Sequence, residues 1–303
     1  MEKIDLIMKN FIAELGYEPA NAMFARINSG KKLRSKLLLK IAGESEKSLK
    51  ICAITELIHL ASLLHDDVID DADTRRGSPS INASFGTKNA VMLGDILYSK
   101  GFYELSKFPH EIAGEISGAV SKLSVGEMMD VDLSAKFNED KSTYETMIYY
   151  KTAVLIEAVA AVGAMLAGLD ARNFKIYGKN LGLAFQIIDD ILDVTQDAAT
   201  LGKPNFSDFK EGKTTLPYIY LYESLNEADK EKLKSLFKKD LSEAERGWVR
   251  AKMNETGAIL KSIEAAKNLG EQAIKSVEKF NVDGLENIVK SMIDREFCCI
   301  TQA

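Results

Sequence analysis

The sequence predicts an all-α protein, and three observations carry that reading. Apolar residues in ICAITELIHLASLL (51–64) and YGKNLGLAFQIIDDILDV (177–194) recur at three and four positions, the helical period. Proline occurs only at Pro19, Pro79, Pro109, Pro204 and Pro217, so 110–203 and 218–303 lack it and permit long helices. Alternating Val/Ile/Thr-rich runs bounded by turn residues are absent. About ten or more helices are expected from these periods.

Along the chain, Lys31 and Arg34 in SGKKLRS (29–35) follow the break at Asn28-Ser29-Gly30 and stand at a helix start. The apolar run 51–64 leads into LLHDDVIDDADTRRG, and the stretch Arg75–Pro79 interrupts the helical pattern. Thr152 to Leu169 approaches the length of a bilayer span. It carries Glu157, is rich in Ala and Gly, and is bracketed by Lys151 and Asp170, so it reads as a buried central helix. Further breaks fall at Asn138–Ser142 and at Leu201–Pro217, where Gly202, Pro204 and Gly212 beside Lys203 and Lys213 suggest a charged lid. From about Glu223 the chain is Lys/Glu-rich and amphipathic, a solvated helical surface. Without a Pro/Ser-rich linker or an internal repeat, one domain over 1–303 is expected.

The chain has 303 residues, 39 basic against 45 acidic, a formal charge of −6. That balance, with no basic tract, argues against a nucleic-acid partner. Three cysteines without CxxC spacing argue against a disulfide scaffold or zinc ribbon, and three histidines against a histidine-rich metal site. The charged start MEKIDLIMKNF lacks the apolar core of a signal peptide, so a cytoplasmic location is expected. The tail FCCITQA does not end in a C-a-a-X box.

Two D-D-x-x-D triplets end apolar runs: Asp66, Asp67 and Asp70, then Asp189, Asp190 and Asp193. At about 100° per residue, each triplet occupies one arc of about 100° on a helix. Like charges so placed are costly without a compensating cation. A hard, oxygen-seeking divalent ion meets that need, and magnesium prefers one or two carboxylates plus substrate phosphate oxygens. A lone triplet would read as a solvated acidic surface; two, with basic motifs elsewhere, point to a metal–diphosphate site. Arg75 and Arg76 follow Asp70 closely enough to reach a phosphate held there.

The set GKKLR, HDDVIDDADTRRG, YKT, FQIIDDILD and GKPxxxDFKEGKTTLP, spanning roughly Gly30 to Pro217, resembles the trans-prenyltransferases, the polyprenyl diphosphate synthase family. The resemblance implies an all-α, isoprenoid-synthase-type bundle around a central cavity, usually a homodimer, with both aspartate triplets holding magnesium. It implies an isopentenyl diphosphate site of Lys31, Arg34, His59 and Arg76. It implies allylic diphosphate contacts from Arg75, Lys151, Thr152, Gln186, Lys203 and Lys213. The second substrate would be an allylic diphosphate such as farnesyl diphosphate, and product release would involve a passing membrane contact without a transmembrane segment. The chain departs from the family pattern at Ser29, Lys32 and Ser35, and at Phe206, where glycine is common.

Product length is expected to depend on the residues beneath the first triplet. DDVID carries no insertion, and Ala61 stands where short-chain relatives tend to have an aromatic, followed by Ser62. Ser62 lies one turn before Asp66 on the same face, whereas the role of Ala61 is implied by the resemblance alone. The expectation is a long product, octaprenyl in nominal length. The alternatives are a short-chain farnesyl or geranylgeranyl synthase, a terpene cyclase, or a non-catalytic partner subunit of a related synthase.

Overall fold

The computed structural model describes residues 1–28, 30–196 and 205–297. It is helical almost throughout, as the periodicity predicts. The chain forms two compact units, 1–120 with 158–175, and 121–157 with 176–303.

The first unit contains α1 (Glu2–Ala13), α2 (Glu18–Phe24), α3 (Leu33–Ala42), α4 (Glu46–Ile69), α5 (Ile81–Phe85) and α6 (Thr87–Leu105). Helix α4 is its core. It starts on a reciprocal capping box between Ser45 and Ser48, which satisfies two otherwise orphaned amides. From Ile51 to Ile58 every side chain is buried, and α6, α3 and α1 pack around it. It ends at Asp70, and the next residue, Asp71, takes a positive φ of 48°. A short antiparallel pair, β1 (Thr74–Arg75) and β2 (Ser78–Pro79), then turns the chain back. Among the described residues this is the only strand pair, and the helical pattern offered no strand there.

The second unit begins within α7 (His110–Leu133) and continues with α8 (Lys141–Ile148), whose first amides are capped by the Asp140 carboxylate. The helix then widens into a π-turn, Tyr149–Ala153, before resuming as α9 (Val154–Leu166), whose residues from Ala158 onward are counted in the first unit. Helix α10 (Ala171–Thr195) carries the second triplet, and α11 (Ser207–Glu211) follows it. The C-terminal part is a packed set: α12 (Leu216–Ser224), α13 (Glu227–Leu236), α14 (Glu243–Glu255), α15 (Ala258–Val277) and α16 (Leu285–Phe297).

Two helical segments, Glu46–Ile69 and Lys141–Leu166, are long and apolar enough to cross a membrane. Of their most apolar windows, 72% and 78% are buried inside the protein, so they serve as core helices. The second contains most of the stretch that the sequence reads as a central helix.

Candidate active site

In the first unit the last turn of α4 presents the first triplet. Asp66 is part-buried, Asp67 buried and Asp70 exposed at the helix C-cap. Arg75, brought back by the β1–β2 pair, donates from Nε to Asp67 Oδ1 at 2.6 Å. Burial raises the Asp67 carboxyl above its ordinary range, and Arg75 opposes that shift. Arg76 has a positive φ of 53°, and its Nη1 donates to the Asn28 carbonyl oxygen at 2.8 Å. Its guanidinium lies against Gly30, where a Cβ would stand 2.5 Å from Nη2. The two basic motifs thus meet at Gly30.

Arg34, His59, Arg75 and Arg76 share one electrostatic neighbourhood. Burial, then Arg34, Arg76 and Arg75, hold the His59 imidazole well below its ordinary range, so it is neutral. Burial lowers Arg34 to about 10, against the opposing pull of Glu56. Glu56, only 5% exposed, accepts from Ser35 Oγ at 2.6 Å. The motifs did not point to Glu56, because three residues before His59 it reads as one polar residue in an apolar helix. Lys31 is exposed in the loop before α3, while Lys32 is buried with positive φ and pairs with Asp5. Ala61 is fully buried and Ser62 6% exposed, its hydroxyl donating to the His59 carbonyl oxygen at 2.9 Å.

In the second unit the π-turn carries Lys151 and Thr152. Lys151 Nζ lies 2.8 Å from Glu127 Oε2 and 2.7 Å from Asp130 Oδ2, both on α7. Thr152 Oγ1 donates to Gln186 Oε1 at 2.8 Å, and Gln186 Nε2 donates to Asp190 Oδ1 at 2.9 Å. The other Asp190 oxygen accepts from the buried Tyr144 hydroxyl. Burial first, then Asp208, pushes the Asp190 carboxyl well above its ordinary range.

Asp193 accepts from Ser207 Oγ at 2.7 Å and from the Asp208 amide at 3.3 Å, tying α10 to the head of α11. Phe206, 2% exposed, takes the left-handed φ of 61° that glycine adopts freely, and the Arg250 guanidinium lies 5.1 Å from its ring centre. Asp189 is exposed. Lys213 pairs with Glu211 and lines a cavity of about 20 Å³, room for one water, together with Asp130 and Tyr144. Lys203, with the rest of 197–204, lies outside the described residues, as does the Cys298-Cys299 tail.

Among the described residues no three His, Cys, Asp or Glu side chains converge as a ready-made metal cage. Each triplet, Asp66, Asp67 and Asp70 in the first unit and Asp189, Asp190 and Asp193 in the second, offers hard carboxylate oxygens. They fit a dication that keeps waters and substrate phosphates among its ligands rather than one enclosed by protein.

The polyprenyl synthetase family model matches residues 17–251. The chain belongs to this family. Across 97% of its length this polyprenyl synthetase is 46% identical to the octaprenyl pyrophosphate synthase of Helicobacter pylori, with a TM-score of 0.92 and 99% of that chain covered. It is 33% identical to a prenyl transferase of Cyanophora paradoxa over 97% of this chain and 95% of that relative. A Caulobacter crescentus polyprenyl synthase complexed with calcium and isoprenyl diphosphate matches with a TM-score of 0.86 at 27% identity, covering 97% and 94%. The protein is thus a prenyltransferase of the polyprenyl diphosphate synthase type, with the all-α fold of that group. Its family works on isopentenyl and allylic diphosphates with divalent metal.

Proposed function

We propose that this polyprenyl synthetase condenses isopentenyl diphosphate onto an allylic diphosphate such as farnesyl diphosphate, with magnesium, to a long-chain, octaprenyl-like product. The observation that carries the site assignment is the bonded run Thr152–Gln186–Asp190–Tyr144, which joins the KT pair to the second triplet. The 46% identity to an octaprenyl synthase supports the long product.

Asp66, Asp67 and Asp70 of the first triplet and Asp189, Asp190 and Asp193 of the second would hold magnesium, which when bound neutralises the diphosphate that departs from the allylic carbon. Asp190 and Asp193 also hold Gln186 and the head of α11 through their hydrogen bonds. Lys151, Thr152, Gln186, Lys203, Lys213 and Arg75 bind the allylic diphosphate. Lys31, Arg34 and Arg76 bind isopentenyl diphosphate beside the neutral His59. Holding both substrates in line and away from water supplies much of the catalysis. On α7 the exposed side chains Val125, Met128 and Val131 recur at three, an apolar stripe suited to a second copy in a homodimer.

Incubation of the purified protein with labelled isopentenyl diphosphate, farnesyl diphosphate and magnesium, followed by sizing of the products, tests this reading. Asp66→Ala and Asp189→Ala are expected to abolish condensation while leaving the circular dichroism spectrum unchanged. Full activity in either variant defeats the metal assignment.

A further inference from the structure

The π-turn at Tyr149–Ala153 is the one place where the long helix from α8 to α9 departs from its period. A π-turn inserts a residue and swells the helix locally, so its neighbours must yield space. Two glycines supply that space. A Cβ on Gly126 of α7 would stand 2.3 Å from the Lys151 nitrogen and 2.6 Å from the Tyr150 carbonyl carbon. A Cβ on Gly182 of α10 would stand 2.5 Å from the Ala153 Cα. Both contacts are with backbone, so no flexible side chain can move aside. By contrast, a Cβ on Gly114 or Gly118, earlier in α7, would meet nothing within 4 Å.

The two close approaches bracket Lys151 and Thr152, assigned above to the allylic diphosphate. Gly126 precedes Glu127, which holds Lys151 Nζ at 2.8 Å, and Gly182 lies one turn before Gln186, which holds Thr152 Oγ1 at 2.8 Å. The backbone approach and the side-chain contact are therefore set by the same two helices, one at each end of the turn.

We propose that Gly126 and Gly182 are positioning residues, a two-sided cradle that fixes the π-turn and thereby the placement of Lys151 and Thr152 on the allylic diphosphate. This rests on the proposed function, because it assigns the cradle a part in the binding of that substrate. Neither glycine touches substrate; each acts through the backbone of the turn. Relieving a 2.3 Å contact requires the turn to move by about 1 Å, and a displacement of that size at a positioning group lowers turnover by about 100-fold.

The test is Gly126→Ala and Gly182→Ala in the full-length protein, with Gly114→Ala as the control and KM determined separately for each substrate. The expected result is a folded protein whose kcat/KM for farnesyl diphosphate falls by about 100-fold while KM for isopentenyl diphosphate stays within about twofold. Calorimetric titration with farnesyl diphosphate should show the same weakening without turnover, and Gly114→Ala should match wild type in every reading. Wild-type kinetics in a folded variant overturn the proposal, as does an equal rise in KM for both substrates. Failure of both variants to fold also overturns it, since the glycines would then be purely structural. Absence of condensation in the wild-type protein would instead sink the functional reading, and the calorimetric arm would still decide whether the cradle governs diphosphate binding.

Discussion

Arg75 Nε stands 2.6 Å from Asp67 Oδ1, so a cation assigned to diphosphate is held by a carboxylate of the first triplet. The Arg75 side chain is 35% exposed and that of Asp67 only 4%, which places the pair between a surface salt bridge and a buried one. Arg75→Leu strips the buried carboxylate of this partner and should cost about 1–2 kcal/mol at pH 7, discounted from the buried-pair value for the solvent around Arg75. Urea denaturation measures it. An unchanged midpoint would mean that water already compensates Asp67.

His59 should give the protein an acid-side sensitivity. Its folded pKa lies well below 6.5, through burial and the surrounding guanidinium groups. Below pH 6.5 the unfolded chain takes up a proton that the folded imidazole refuses, so stability is full above that pH and falls as pH drops through it. The slope is about 1.4 kcal/mol per pH unit between 6.5 and the folded value. Chemical denaturation from pH 7.5 to 5 should show a shallower decline in His59→Gln than in wild type. Parallel curves would mean that the imidazole protonates equally in both states.

Tyr144→Phe removes the hydroxyl that donates to Asp190 Oδ2. Tyr144 is 1% exposed and Asp190 2%, so water cannot readily replace the bond. Leaving that oxygen short of a donor should cost about 1–3 kcal/mol and lower the melting temperature by several degrees. Because Asp190 also orients Gln186 and, through it, Thr152, kcat should fall together with stability. Normal turnover in a destabilised variant would confine Tyr144 to a packing role.

The fold class and the aspartate triplets were readable because both rest on local spacing: a helical period, and D-D-x-x-D at the end of an apolar run. The environment of each aspartate was not. Asp190 and Asp193 look equivalent to Asp189 in sequence, yet the two are buried among Tyr144, Gln186, Ser207 and the Asp208 amide, contacts supplied from as far as 46 residues away. The π-turn was equally hidden, because YYKTA lies in an apolar helical run and its extra residue is betrayed only by glycines on two other helices. Glu56 escaped notice for the same reason: its partner Ser35 is 21 residues distant.

Phe206 stands where glycine is common in the resemblance, and its backbone keeps the glycine-like φ of 61°. Phe206→Gly would relieve about 1–2 kcal/mol of left-handed strain. It would also lose a side chain that is 98% buried, an effect of about 3–5 kcal/mol. Packing wins, so the variant should be less stable by about 2 kcal/mol, read as a lower denaturation midpoint. A more stable Phe206→Gly would show that the ring contributes little beside Arg250.

Ala61 and Ser62 test what limits product length. Ser62 lies about 40° around α4 from Asp66 and one turn before it, so a bulky side chain there would stand directly beneath the first triplet. Ala61 lies about 140° away and is fully buried, so Ala61→Phe must push neighbours aside at about 1–3 kcal/mol. If the growing chain passes Ala61, the ring projects into its path and the product ladder should end several isoprene units earlier, with the first condensation still proceeding. If Ala61 faces only protein, the melting temperature should fall and the ladder should stay as in wild type. Ser62→Phe provides the comparison, since it shortens the product wherever the chain descends along the Asp66 face. Thin-layer sizing of the products of all three proteins, with thermal melts alongside, separates the outcomes, and an unchanged ladder in both variants would remove the argument that small residues on α4 permit the long product.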